Sequence, residues 1–423
     1  MRIGIDARFY GTETGIGRYL ERLIAELEVI DPVRGRPAED TTTTALGPVR
    51  SSPPAGPYGR ASAGATSNGM GQSASNGIDR EREYVIFLRP ENADRYTPKN
   101  PRFRKAIADL RWYTLREQAL LPRILARERL DLMHFPHFNV PLGYRGAFVV
   151  TIHDLILLHY PSRRATTLGP LIFAAKYFGY KLVIGNAVRR ARAVLTVSEY
   201  SRQEILRTFP VPADRVVVTP LAAGLPHNAT APRQIPPRPY VLAVGNSYPH
   251  KNLERMLRAF AALYKKTGEG YELVLAGPED FFRKRLREEA RALGIEAAIR
   301  FAGAVSDAEL TGLYRNAALF VIPSLTEGFG MPPLEAMTAG VPVAAAAAGS
   351  LPEVLGDAAT YFNPQDENDM RDALLRGLTD NSLRETLVAR GFTQSATYSW
   401  RACAERTLAV YEKALTNASK NKK

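Results

Sequence analysis

Cysteine is almost missing: Cys403 is the one example in 423 residues. A lone thiol rules out an internal disulfide framework and suits a reducing compartment. Long apolar runs are missing too. The longest uncharged stretch of the C-terminal half, residues 336–352, is interrupted by Gly340, Pro342 and Gly349, so a membrane-spanning helix is not expected. The first residues, Met1-Arg-Ile-Gly-Ile-Asp6, turn strand-like and charged at once, with no apolar signal core. No Gly-Lys-Ser/Thr exists to build a P-loop. Nor does any Asp-x-Asp triplet, so a carboxylate-held divalent cation finds no support and no metal site is expected.

What remains is a basic, globular composition: 45% hydrophobic, 23% charged, net charge +13. The charge is uneven. Residues 1–236 hold 33 Lys/Arg against 21 Asp/Glu, whereas residues 237–423 hold 23 against 22. A basic first half beside a neutral second half suits an anionic partner such as a phospholipid surface or a lipid-pyrophosphate acceptor. No nucleic-acid-binding motif accompanies the charge, so nucleic acid is not expected. An ordinary solvated surface is the bland alternative.

The length implies two domains. Short apolar runs read as strands at Arg2–Asp6, Tyr84–Leu88, Leu132–Phe135, 147–152, 193–197, 216–219, Tyr240–Val244, Glu272–Ala276 and 299–302. Helical patterns fall between them, including 18–29, 102–129, 168–193, Leu253–Lys266, 282–293 and 308–315. Strand–helix alternation run through twice predicts an α/β protein of two doubly wound parallel sheets facing across a cleft. The expected divisions are 1–225 for the first domain, 226–239 for a Pro-rich linker and 240–397 for the second domain. A helix over 398–418 is expected to return to the first domain. Residues 33–80, rich in Gly, Ala, Ser, Thr and Pro, read as a disordered insertion.

Chemistry concentrates at Glu327-Gly-Phe-Gly-Met-Pro-Pro-Leu-Glu335. The preceding run, 319–324, reads as a buried strand, and Pro332 and Pro333 suit a first helical turn because proline has no N–H to leave unpaired. Strand, glycine turn and helix start together offer free amides and a positive dipole end to an anion. Glu327 and Glu335 flank that turn, where their carboxylates can accept bonds from the hydroxyls of a sugar and a ribose. For Glu335 alone, complementing the helix dipole is an equal alternative.

Other motifs are weaker. Lys251, in Gly245-Asn-Ser-Tyr-Pro-His-Lys-Asn252, stands between a strand and a helix, a place for a phosphate-binding point charge. Thr14-Gly-Ile-Gly-Arg-Tyr19 lacks the third glycine of a dinucleotide fingerprint, because Leu20 stands there. His153 ends a strand that should point into the cleft, where it can bond a sugar hydroxyl or meet a developing charge. His134 and His137 end another strand, and their spacing alone makes no metal site.

These segments together resemble the family 4 glycosyltransferases, retaining enzymes of the GT-B fold with two Rossmann-like domains. The likeness rests on Gly15-Ile-Gly-Arg-Tyr19, Ile152-His-Asp-Leu155, Val197-Ser-Glu-Tyr-Ser201, Pro249-His-Lys-Asn252, the two-glutamate segment and Ser350-Leu-Pro-Glu353. It implies transfer of a hexose from a nucleotide-diphosphate sugar without cofactor or metal, mannose from GDP-mannose being the first expectation. The acceptor would be a glycan or lipid-linked hydroxyl in cell-surface polysaccharide or lipopolysaccharide synthesis. The enzyme would be cytoplasmic, peripheral on the inner face of the membrane. By the same resemblance, His153 and Glu327 are catalytic and orient the donor sugar. Gly15, Asn246, Lys251, Gly328, Phe329, Gly330 and Glu335 bind the donor, and Arg18, His134 and His137 lie on the acceptor side. Many relatives carry arginine where Asn246 stands, so Lys251 would bear more of the diphosphate charge, with Arg18 or His250 assisting. A nucleotide-sugar binder that has lost transfer is the alternative.

Overall fold

The structure, a computed structural model, describes residues 1–12, 14–31, 81–160, 169–224, 236, 238–268 and 270–420. The insertion read at 33–80, and most of the linker read at 226–239, lie outside the described residues.

Two parallel sheets form from the apolar runs. The first comprises β1 (Arg2–Asp6), β2 (Glu83–Leu88), β3 (Phe103–Ile107), β4 (Leu132–Phe135), β5 (Phe148–Ile152), β6 (Ala193–Thr196) and β7 (Val216–Val218). Its order is β3-β2-β1-β4-β5-β6-β7. The second comprises β8 (Tyr240–Val244), β9 (Glu272–Ala276), β10 (Ile299–Gly303), β11 (Leu319–Ile322), β12 (Val343–Ala346) and β13 (Ala359–Phe362), in the order β10-β9-β8-β11-β12-β13. Strands such as Leu-Phe-Val-Ile at β11 are buried along their whole length, as expected where helices cover both faces. Each sheet reverses its winding beside its first strand, between β1 and β4 and between β8 and β11. Ligands of doubly wound proteins bind at the strand C-termini of such switch points.

One expectation fails. Residues 102–129 do not form one helix. Phe103–Ile107 pairs in parallel with β2 as an edge strand, and the helix covers only Leu115–Arg127. The Phe103 ring stacks on Tyr84 at 4.2 Å, so a tertiary contact overrides the local helical pattern. Thr114 then caps the helix through a bond from Glu117 N at 3.1 Å.

The last helix, Trp400–Lys420, packs on the first lobe along helix Gly15–Ile30 and reaches β4 and β6. Trp400 Nε1 donates to Ala223 O at 2.9 Å, and Arg192 donates to Ala414 O at 2.8 Å. No helix among the described residues is long and apolar enough to cross a membrane.

Candidate active site

The second lobe supplies a glycine-containing turn that opens a helix. After β11 the chain turns through Ser324 and Glu327 into helix Met331–Thr338, with Pro332 and Pro333 in its opening turn. Gly330 starts that helix at φ +97, and a Cβ there would stand 2.9 Å from Leu351 Cδ2. Only glycine meets both demands. Lys251 ends a short 3-10 turn, and Asn252 behind it adopts a left-handed conformation. The Asn252 amide donates to Pro323 O at 3.0 Å and to Pro364 O at 2.7 Å. That anchorage seats Lys251 beside the end of β11.

Lys251 Nζ and Glu327 Oε1 are 2.7 Å apart, and Ser324 Oγ donates to the same oxygen at 2.5 Å. Burial pushes the Glu327 carboxyl upward, but Lys251 and Ser324 outweigh it and hold the group below the ordinary carboxylate range. Glu327 is therefore an anion at neutral pH, an acceptor for hydroxyls. His250 is no cation there. Burial and the neighbouring Lys251 lower its pKa to about 4, so the ring is neutral at pH 7 and Lys251 is the cation beside Glu327.

The first lobe meets the turn directly. Gly328 O accepts from Ser198 Oγ at 2.7 Å and Ser201 Oγ at 3.2 Å. A Cβ on Gly328 would fall 2.2 Å from His153 O, so the glycine permits the two lobes to touch. Beside it, the Glu353 carboxylate accepts from Glu199 N and Tyr200 N at 2.7 Å each. One lobe thus caps helix Glu199–Thr208 of the other. The serines and Glu353 lie in segments that sequence reading singled out without assigning them this inter-lobe role.

His153 follows β5 and bonds Pro136 O through Nε2 at 3.0 Å. A carbonyl only accepts, so Nε2 carries the proton and Nδ1 keeps a lone pair. Burial lowers its pKa to about 4, against a raising contribution from that bond. The ring is neutral at pH 7 and meets Tyr19 edge-on at 5.0 Å. It can accept a hydroxyl bond but cannot meet negative charge as an imidazolium.

Glu335, 1% exposed, accepts from Arg18 Nη1 at 2.6 Å and from Tyr314 OH at 3.1 Å. Arg18 also bonds Asp307 at 2.8 Å. Arg18, expected on the acceptor side, therefore reaches across to Glu335 and Asp307 of the other lobe. Gly15 precedes it, and a Cβ there would lie 3.3 Å from Met331 Cε at the start of the two-proline helix. Phe329 is buried against Tyr398, ring centroids 5.3 Å apart.

His134 is not at the acceptor side either. It is 0% exposed, with Nδ1 on Tyr411 OH at 2.6 Å and Nε2 on Thr151 Oγ1 at 2.8 Å. Both nitrogens are spent inside the core. His137 sits in an aromatic group with Phe9, Tyr113 and Phe138. Between the lobes, a cavity of about 310 Å³ is lined by Asp154, His159, Tyr200, Glu204, Thr326 and Glu327. Among the described residues no group of three His, Cys, Asp or Glu side chains could hold a metal ion.

Known proteins decide the class. Residues 230–394 match the family model "Glycosyl transferases group 1", and residues 76–222 match "Glycosyltransferase Family 4". The chain is 34% identical over 290 residues to "O-antigen chain mannosyltransferase B" of Escherichia coli, covering 66% of this chain and 74% of that protein. The chain is a family 4 glycosyltransferase. The transferase is also 34% identical over 266 residues to "Serotype-specific mannosyltransferase WbdA" of Escherichia coli, covering 60% of its own length but only 32% of that longer protein. Its fold matches WaaG, "a glycosyltransferase involved in lipopolysaccharide biosynthesis", at TM-score 0.63 and 15% identity, over 96% of this chain and 98% of that one. The architecture is GT-B.

Proposed function

We propose that the transferase moves a mannosyl unit from a nucleoside-diphosphate mannose, GDP-mannose first, to a hydroxyl of a glycan or lipid-linked acceptor, retaining the anomeric configuration. One observation carries the reading: Lys251, Glu327 and Ser324 meet at the glycine turn, against His153 of the other lobe. The names of the mannosyltransferase relatives favour mannose.

In this reading no metal or cofactor takes part. Lys251 and the amides at the start of helix Met331–Thr338 receive the departing diphosphate, whose charge grows in the transition state. Glu327 and the neutral His153 accept bonds from sugar hydroxyls and orient the anomeric carbon. The acceptor enters from the inter-lobe cavity, where Asp154 and Glu204 favour hydroxyl-rich, uncharged ligands. Attack comes on the face the diphosphate leaves, with a departing phosphate oxygen taking the acceptor's proton.

The enzyme would act in the cytoplasm beside an anionic membrane. Helix Pro170–Arg190 supports this by exposing Ile172, Phe178 and Leu182 next to exposed Lys176 and Lys181. Co-sedimentation with anionic but not neutral vesicles is the expected result at low salt.

A thermal-shift panel of GDP-, UDP- and ADP-sugars, followed by transfer with the stabilising donor and NMR of the product anomer, tests the function. Stabilisation by a UDP- or ADP-sugar alone refutes the donor assignment, and an inverted product refutes retention.

A further inference from the structure

The turn after β8 runs Gly245-Asn-Ser-Tyr-Pro249 and carries no cation of its own. Beneath it lies Arg283, 1% exposed and among the largest fully buried side chains. It stands in the first turn of helix Phe281–Ala292, its N–H capped by Asp280 at 2.8 Å. The guanidinium reaches back to two strand ends. Nη1 donates to Leu275 O at 2.8 Å and Nη2 to Gly245 O at 3.3 Å, while Nε has no partner. Both bonds go to carbonyls rather than to a carboxylate, and a guanidinium so placed is costly to bury. Gly277, at φ +150, leaves the room: a Cβ there would stand 1.9 Å from Gly245 O and 2.9 Å from Arg283 Nη2.

Two consequences follow for the cleft. A trans peptide points its C=O and the following N–H in opposite directions. Holding Gly245 O toward Arg283 therefore turns the Asn246 N–H away from it, and that N–H meets no partner among the described residues. Lys251 approaches the same glycine separately, its Cε 3.9 Å from the place of a Gly245 Cβ. Gly245, Asn246, Lys251, Arg283 and Ser324 line one cavity at the ends of β8, β9 and β11. That is the switch point of the second sheet.

We infer that Arg283 is a positioning residue for the donor's diphosphate. From below the β8 turn it fixes the Gly245 carbonyl, offers the Asn246 N–H to the anion and sets a second positive charge near Lys251. Burial holds the guanidinium below the ordinary arginine value although Asp280 and Glu279 draw it back up, and a further anion in the cavity adds to their effect. The inference rests on the transferase reading of the cleft.

The test is calorimetric titration of the wild type, Arg283→Met and Arg283→Lys with a nucleoside diphosphate and with its uncharged nucleoside. The base is the one the sugar panel selects. Arg283→Met should weaken the diphosphate about tenfold or more, with the nucleoside unchanged within about twofold. Arg283→Lys should fall between. Equal weakening of both ligands, the mark of a merely structural residue, overturns the inference, as does no weakening of either. Should Arg283→Met fail to fold, Arg283→Lys decides alone. It keeps the charge but loses the fork to two carbonyls, so a diphosphate-selective loss supports the role and wild-type binding overturns it. If the wild type itself binds no nucleoside diphosphate, the transferase reading falls first.

Discussion

Arg18 and Glu335 come from opposite lobes, yet their charged atoms stand 2.6 Å apart. Burial lifts the Glu335 carboxyl above its ordinary value, and Arg18 and Tyr314 draw it part of the way back. Arg18→Ala would leave that carboxylate enclosed and unpaired, at a cost of about 3 kcal/mol. Glu335→Gln added to Arg18→Ala should recover much of the loss. A thermal-melting double-mutant cycle checks this; purely additive effects would mean the two groups do not act on each other.

Glu327 is a buried anion paired with Lys251 beside the inter-lobe cavity. Glu327→Gln keeps the shape and the Ser324 bond but removes the charge facing Lys251. Turnover should drop about 10²–10³-fold, and the melting temperature should fall modestly because Lys251 loses its partner. Initial rates with saturating donor measure it. A variant retaining a third of wild-type turnover would remove Glu327 from the reacting centre.

Gly328 governs how closely the lobes approach. In Gly328→Ala the new methyl would meet His153 O at 2.2 Å, and the cheapest relief is to separate the lobes. Small-angle scattering should show a larger radius of gyration, and turnover should fall together with a rise in donor KM. Unchanged scattering and unchanged kinetics would count against lobe contact at this point.

His134 should make the fold sensitive to acid. Burial lowers its pKa from 6.5 to about 3, so between those values the unfolded chain binds a proton that the folded one refuses. Its contribution is complete above pH 6.5 and is lost as pH falls toward 3, at up to about 1.4 kcal/mol per pH unit. Urea midpoints at pH 7, 6 and 5 should decline. His134→Gln, which still bonds Tyr411 and Thr151, should decline less steeply. Parallel slopes would show that His134 titrates normally.

Much of this was legible along the chain. The runs at β2, β8, β9 and β11 read as strands because burial on both faces leaves a nearly continuous apolar signature over four to six residues. The start of helix Met331–Thr338 was equally plain, since Gly330, Pro332 and Pro333 act through their own backbone angles. Phe103–Ile107 was misread because its strand character depends on Tyr84 as a neighbour. The resemblance places His134 and Arg18 on the acceptor side, and a likeness of sequence says nothing of where a side chain ends.

Local chemistry therefore established two doubly wound sheets, the glycine turn and the carboxylates beside it, because such features act over a few residues. Docking of the lobes, and of the last helix on the first lobe, established the rest: Arg18 on Glu335, Gly328 against His153, Glu353 capping a helix of the other lobe, His134 sealed under Tyr411. Those contacts join residues from 153 to 317 positions apart, and only packing in three dimensions selects among the partners each polar group could have found.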